Sequence, residues 1–150
     1  MGGLIEGIHL HGERGEPMHI VDSALVEAGS GLVGDRLSGL GIPGTHLTFI
    51  GAEGIEAMVA ETGIPLRPDQ TRRNVLTRGV DVAGLVGRRF RVGEAECYGV
   101  KECNPCNHLE SLTAPGVRAG LGGRGGLRAD VLVGGTIRLG DPIELLPDLE

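Results

Sequence analysis

The sequence predicts a mainly β fold: a closed or nearly closed β-barrel with a few short helices. Three observations carry this. Short apolar runs recur at roughly ten-residue spacing, Gly or Pro bounds each of them, and glycine supplies 28 of 150 residues while Tyr98, Phe49 and Phe90 are the whole aromatic complement. An interior glycine costs a helix about 1 kcal/mol relative to alanine, so the composition argues against long helices and a helical bundle. The glycines follow no G-X-Y period, which excludes collagen. A hydrophobic fraction of 40 % and a mean hydropathy of +0.06 describe a globular chain, and its length suits one domain, 1–150.

Strands are expected at 4–10, 18–21, 46–50, 74–77, 89–92, 95–100, 129–133 and 143–146. The best helix is 53–61, which puts Ile55, Met58 and Val59 on one face and stops at Gly63-Ile64-Pro65. Weaker helical stretches fall at 81–86 and just after Pro105. Residues 28–36 read as a loop. Gly122-Gly123-Arg124-Gly125-Gly126 reads as a flexible loop, and it lacks the lysine of a phosphate-binding P-loop.

The formal charge of −6 disfavours a general nucleic-acid binder. Its distribution is uneven: seven arginines between Arg67 and Arg91 face only Asp69 and Asp81. Lys101 is the one lysine in the chain. Guanidinium groups grip phosphate and carboxylate in bidentate fashion, so a small anionic ligand is expected, or else a solvated basic surface. No run approaches 18 apolar residues and no leader peptide is legible, which points to a cytoplasmic protein without a membrane span. Three cysteines within 97–106 are an odd number and make no disulfide framework.

The stretch from Cys97 to Glu110 is the richest in chemistry. Asn104-Pro105 resembles a helix start, with Asn as N-cap and Pro in the first turn. Cys106 would then sit among free backbone N–H groups, which favour a thiolate. Several readings stay open: a zinc site from Cys97, Cys103, Cys106 and His108, a Cys-x-x-Cys redox pair, inert buried thiols, or one functional thiolate at Cys106 with Cys103 as its neighbour. His46 and His108 read as surface or capping residues rather than proton donors, and Asp35 as the anchor of its own loop.

Four stretches, in order, resemble the MOSC domain, the module named after the C-terminal part of molybdenum-cofactor sulfurase. They are Gly34-Asp35-Arg36; Arg72-Arg73-Asn74-Val75 with Gly79-Val80-Asp81; Cys103-Asn104-Pro105-Cys106 with Leu109-Glu110; and Arg124-Gly125-Gly126 with Gly134-Gly135 and Gly140-Asp141-Pro142. Leu37 stands where many relatives carry His after the first motif. The resemblance implies a barrel with a groove for the pyranopterin molybdenum cofactor. By the same resemblance Cys106 is the metal ligand and catalytic residue. Arg72 and Arg73 lie on the cofactor's anionic end, Asn74 on the pterin or a turn, and Arg124 in a loop over the ligand.

Two mechanisms follow. One is a molybdenum-dependent reductase of N- or S-oxidised small molecules, with electrons from a separate donor protein. The other is a persulfide sulfur carrier or cofactor handler served by a sulfur-donor protein. A non-catalytic binding module, with zinc or no ligand, is the alternative of another class. Pyridoxal phosphate is not expected, since Lys101 alone could form its Schiff base. Either a monomer or a homodimer is compatible with exposed strand edges.

Overall fold

The computed structural model describes residues 3–12, 16–36, 39, 44, 46–105 and 107–147. In chain order the strands and helices are β1 (Gly3–Leu10), β2 (His19–Val21), β3 (Ser23–Glu27), β4 (Gly31–Leu32), β5 (Leu47–Gly51), α1 (Ala52–Thr62), β6 (Val75–Arg78), β7 (Arg89–Val92), β8 (Ala95–Glu102), α2 (Asn107–Leu112), α3 (Val117–Gly120), β9 (Leu127–Val133), β10 (Gly135–Arg138) and β11 (Pro142–Leu145). Seven strands close a barrel in the order β1-β6-β5-β9-β8-β7-β11, and β11 returns to pair with β1. β2 extends the sheet beyond β1, while β10-β3-β4 form a separate three-stranded sheet.

Among the described strands only β5 and β6 pair in parallel, with Phe49 opposite Val75. A parallel pair needs a long crossover, and α1 forms its first half. Its end is the expected one: Gly63 adopts the left-handed conformation (φ 73°) and its N–H bonds the Val59 carbonyl. Alternation along β5 and β6 then builds two cores at once. Phe49 and Val75 face the barrel interior among Ile5, Ile8, Phe90 and Leu127. Their neighbours Ile50 and Leu76 face outward onto Ile55, Met58, Leu109 and Leu121 of the helical layer. Phe49 and Phe90 meet edge to face inside the barrel, ring centroids 5.3 Å apart.

The second sheet is where expectation and structure part. β3, β4 and β10 were not expected as strands. β4 is two residues long, and β3 pairs with β10 from the far end of the chain, Leu25 opposite Thr136. Such pairing leaves no local signature. The stretch 81–86 holds only a 3₁₀ turn, Ala83–Leu85. Pro105 stands outside α2, so it does not open a helix as Asn104-Pro105 suggested. The carbonyls of Cys103 and Asn104 are drawn onto the Arg73 guanidinium instead.

Phe90→Ala is expected to lower stability by about 3–5 kcal/mol, because the cavity would lie in the barrel centre. Urea unfolding monitored by circular dichroism measures this, and a loss below about 1 kcal/mol would mean the barrel collapses around the gap.

Candidate functional site

Residues 67–74 form a compact unit. Pro68–Thr71 make a 3₁₀ turn, closed by the Thr71 hydroxyl donating to the Pro68 carbonyl at 2.7 Å. Arg72 follows in the left-handed conformation, φ 65° and ψ 24°. It is the only described non-glycine residue with positive φ. For an ordinary side chain that geometry costs about 1 kcal/mol or more, yet an arginine occupies a position that glycine would fill without strain. The left-handed residue also turns the backbone so that Arg72 and Arg73 send their side chains to different places.

Arg72 donates to the Glu16 carbonyl and lines a small hollow with Pro17, Met18, Asp69 and Leu112. Burial holds its guanidinium below the usual arginine range, the Arg36 charge adds to this, and Asp35 opposes it. Arg73 is 8 % exposed. Its Nε donates to the Gly125 carbonyl at 2.7 Å, Nη1 to Thr71 at 3.1 Å, and Nη2 to Cys103 and Asn104 at 3.2 and 3.4 Å. It therefore clamps the segment that leads into Cys106. Gly125 permits the same junction, since a Cβ there would overlap the Cys103 carbonyl.

Asn74 acts as a crosslink. Its Oδ1 accepts from the Thr48 amide and hydroxyl, both at 3.1 Å, and its Nδ2 donates to the His9 carbonyl and to Asp35, also at 3.1 Å. Asp35 is buried, and its Oδ1 additionally accepts the His11 amide at 2.5 Å and His11 Nδ1 at 2.9 Å. Beyond it the Arg36 amide donates to the His11 carbonyl, and Arg36 Nε to that of Gly12. His9 donates from Nδ1 to the Arg73 carbonyl. Burial pushes its imidazole below the ordinary value of 6.5, although that bond and Asp69 pull the other way.

Arg124 belongs elsewhere. Its Nη2 pairs with Glu61 of α1 at 2.6 Å, and its stem lies across Gly54. It lines a cleft of about 380 Å³ with Cys103 and Asn104, a cavity Arg72 does not share. The structure thus joins Arg73, Cys103, Asn104 and Gly125 at one junction and Asn74, Asp35 and His11 at a second, while Arg72 bonds the Glu16 carbonyl and feels the charges of Arg36 and Asp35. Cys106 and Leu37 lie outside the described residues, as does the side chain of His108. Cys97 is in the barrel core, its thiol pushed up to about 12 by burial and then by Asp130 and Glu96, which withdraws it from metal or redox chemistry. His46 is half-buried and caps a strand, its Nδ1 accepting the Val131 amide at 3.0 Å. Asp35 anchors more than its own loop, and His9 and His11 were not expected in the site at all. Their signal was the His-x-His alternation at the end of the first strand.

A family model described as the MOSC domain matches residues 9–144. The chain belongs to the MOSC domain family. MOSC domains are associated with the molybdenum cofactor. Among solved structures, the YuaD protein of Bacillus subtilis superposes with a TM-score of 0.78 at 19 % identity, covering 97 % of this chain and 96 % of that one. YiiM of Geobacillus stearothermophilus gives 0.77 at 17 %, covering 97 % and 75 %. YiiM of Escherichia coli gives 0.72 at 19 %, covering 100 % and 72 %. At these identities the likeness is one of fold. No protein of curated function matches. No helix among the described residues is long and apolar enough to cross a membrane. Within this MOSC domain the first and second motifs meet physically, through the Asn74–Asp35 bond, and the second meets the third through Arg73 and the Cys103 carbonyl.

Two outcomes test the site's construction. Arg72→Gly should raise the unfolding free energy by about 1 kcal/mol as the left-handed strain is relieved; a lower denaturation midpoint would show that the Glu16 contact outweighs the strain. His9 binds its proton more weakly folded than unfolded, so it contributes stability above the ordinary imidazole value and loses it as pH falls through the lowered one. Stability should therefore decline on acidification from pH about 7 towards 5, and His9→Asn should flatten that slope in pH-dependent urea titrations.

Proposed function

We propose that this MOSC domain binds the pyranopterin molybdenum cofactor, with Cys106 as thiolate ligand and Arg72 on the anionic end, and reduces N- or S-oxidised small molecules. The observation that carries the reading is Arg72 itself: a guanidinium kept at a strained backbone position, partly desolvated beside Arg36, with no carboxylate ion pair for either among the described residues. The nearby carboxylate, Asp35, already accepts three N–H donors. Two guanidinium charges against the single carboxylate charge of Asp35 leave a net positive field, which favours a bound anion.

The donor set fits the group as well. A soft thiolate suits a molybdenum centre and planar guanidinium suits a terminal phosphate. Bound there, the cofactor would supply two-electron chemistry at an oxygen-bearing nitrogen or sulfur. The chain's own residues do the rest. Arg72 and Arg36 neutralise the anionic end, and Arg73 fixes the Cys103–Asn104 carbonyls ahead of the ligating cysteine. The Asn74–Asp35 bond holds the Arg36 turn against the stretch that carries Arg72. Cys106 directly precedes α2 in the chain, and Leu112 at the far end of that helix lines the Arg72 hollow. Electrons would come from a separate donor protein.

Expression in a host that makes the cofactor tests this. Near-stoichiometric molybdenum, with pterin released on denaturation, is expected for the natural sequence, and loss of both for Cys106→Ser. Absence of molybdenum and pterin from the natural protein would overturn the reading. A one-sulfur mass increment on Cys106 in metal-free protein would favour the persulfide carrier in its place.

A further inference from the structure

We propose that the two clefts flanking Val80 and Asp81 form one binding site for a small organic cation with an apolar tail. The site goes beyond the cofactor reading and does not depend on it, since Arg72 lines neither cleft.

The first cleft, about 380 Å³, opens between the start of α1, the Cys103–Asn104 segment and the loop that carries Arg124. The second, about 410 Å³, lies between Gly3 of β1 and Ile143–Leu145 of β11. Each is the size of a small-molecule pocket. Gly79, Val80 and Asp81 line both, so a ligand reaching over this short ridge occupies the two together. The ridge is held from either side. Glu53 Oε2 accepts the Gly79 amide at 2.7 Å, and Gly3 gives room to Val80, whose side chain a Cβ there would overlap.

Charge selects one end of the ligand. The first cleft brings together the carboxylates of Glu53, Asp81 and Glu102 with a single cation, Arg124, and Arg124 is committed to Glu61 at 2.6 Å. Arg78, next to the ridge, is likewise held by Glu6 and Glu56. The three carboxylates form no ion pair among the described residues. Glu53 and Asp81 accept only backbone N–H groups, from Gly79 at 2.7 Å and from Gly84 at 3.4 Å. A carboxylate has lone pairs for further donors, and a concave wall of one sign concentrates its field on whatever enters. A protonated amine meets acceptors there, whereas an anion meets like charge.

Apolar contact selects the other end. Val80, Leu85, Ile143 and Leu145 line the second cleft, and Asp81 and Glu144 are the charged residues on its wall. Leu85 and Ile143 are buried, but Leu145 is 51 % exposed. A carbon chain laid over the ridge would cover it. Affinity should therefore grow with chain length, by about two- to four-fold for each methylene that leaves water.

The test uses the natural protein without cofactor and three probes: n-hexylammonium, methylammonium and hexanoate. They are titrated in nitrogen-15 amide spectra at pH about 7, where both amines are protonated and hexanoate is ionised. Hexylammonium should bind about ten-fold or more tightly than either of the others, and it should shift the amides of Asp81, Leu85 and Leu145 together. Asp81→Asn keeps an oxygen for the Gly84 amide and should weaken hexylammonium about ten-fold. Leu145→Ser should narrow the gap between hexylammonium and methylammonium and leave methylammonium unchanged. Hexanoate bound as tightly as hexylammonium would overturn the cationic end, and methylammonium bound as tightly would overturn the tail. Shifts confined to one cleft would overturn the single site. Should Asp81→Asn fail to fold, salt decides: sodium chloride raised from about 0.05 to about 0.5 M should weaken hexylammonium several-fold in the natural protein, and unchanged affinity would refute the role of the carboxylates. Each outcome is read without molybdenum, so failure here leaves the cofactor reading standing, and failure of that reading leaves this site standing.

Discussion

The guanidinium of Arg73 lies beneath the surface and directs its N–H groups to carbonyls in three separate segments, Thr71, Gly125 and the Cys103–Asn104 pair. A buried charge is costly unless its hydrogen bonds are met, so each of those carbonyls must be where it is for the arginine to be tolerated. The constraint works in both directions. The arginine needs the loops, and the loops, two of them rich in glycine or proline and poor in apolar side chains, take their positions from the arginine. Lysine could not replace it, since an ammonium has no planar fork to reach several carbonyls at once.

The same stretch of chain feeds a second polar centre from its other side. Asn74 begins where the clamp ends and ties Thr48, His9 and Asp35 together. Arg72, just before the clamp, is turned away by its left-handed backbone. Three consecutive residues thus serve three purposes. Arg73 and Asn74 hold elements together, while Arg72 lines the small hollow beside Leu112. A region assembled this way is rigid at its base and charged at its rim.

Beneath both centres the barrel separates its two hydrophobic cores through strand alternation. Phe49 and Val75 go inward, Ile50 and Leu76 outward, and α1 covers the outer set. β5 and β6 each carry adjacent apolar residues, Phe49-Ile50 and Val75-Leu76, that face the two cores in turn. That made them easy to recognise as strands, though not as the parallel pair. The small sheet of β3, β4 and β10 was illegible for the opposite reason: its strands are short and partly exposed, and β3 pairs with β10 across most of the chain length.

What the sequence determined by itself is what local chemistry and periodicity can carry: the barrel class, most of its strands, the α1 helix with its Gly63 stop, and four ordered motifs that name the MOSC family. Long-range contact decided the rest. Arg72 and Arg73 are chemically equivalent as letters, and only the left-handed turn between them assigns one to the rim and the other to the interior. Asp35 looked like a residue serving its own loop, until its carboxylate proved to receive donors from His11 and Asn74, 24 and 39 positions away. His11 carried no signal beyond the His-x-His alternation it makes with His9. Its orientation exists only because a carboxylate from another loop meets Nδ1, a relation that no spacing along the chain encodes.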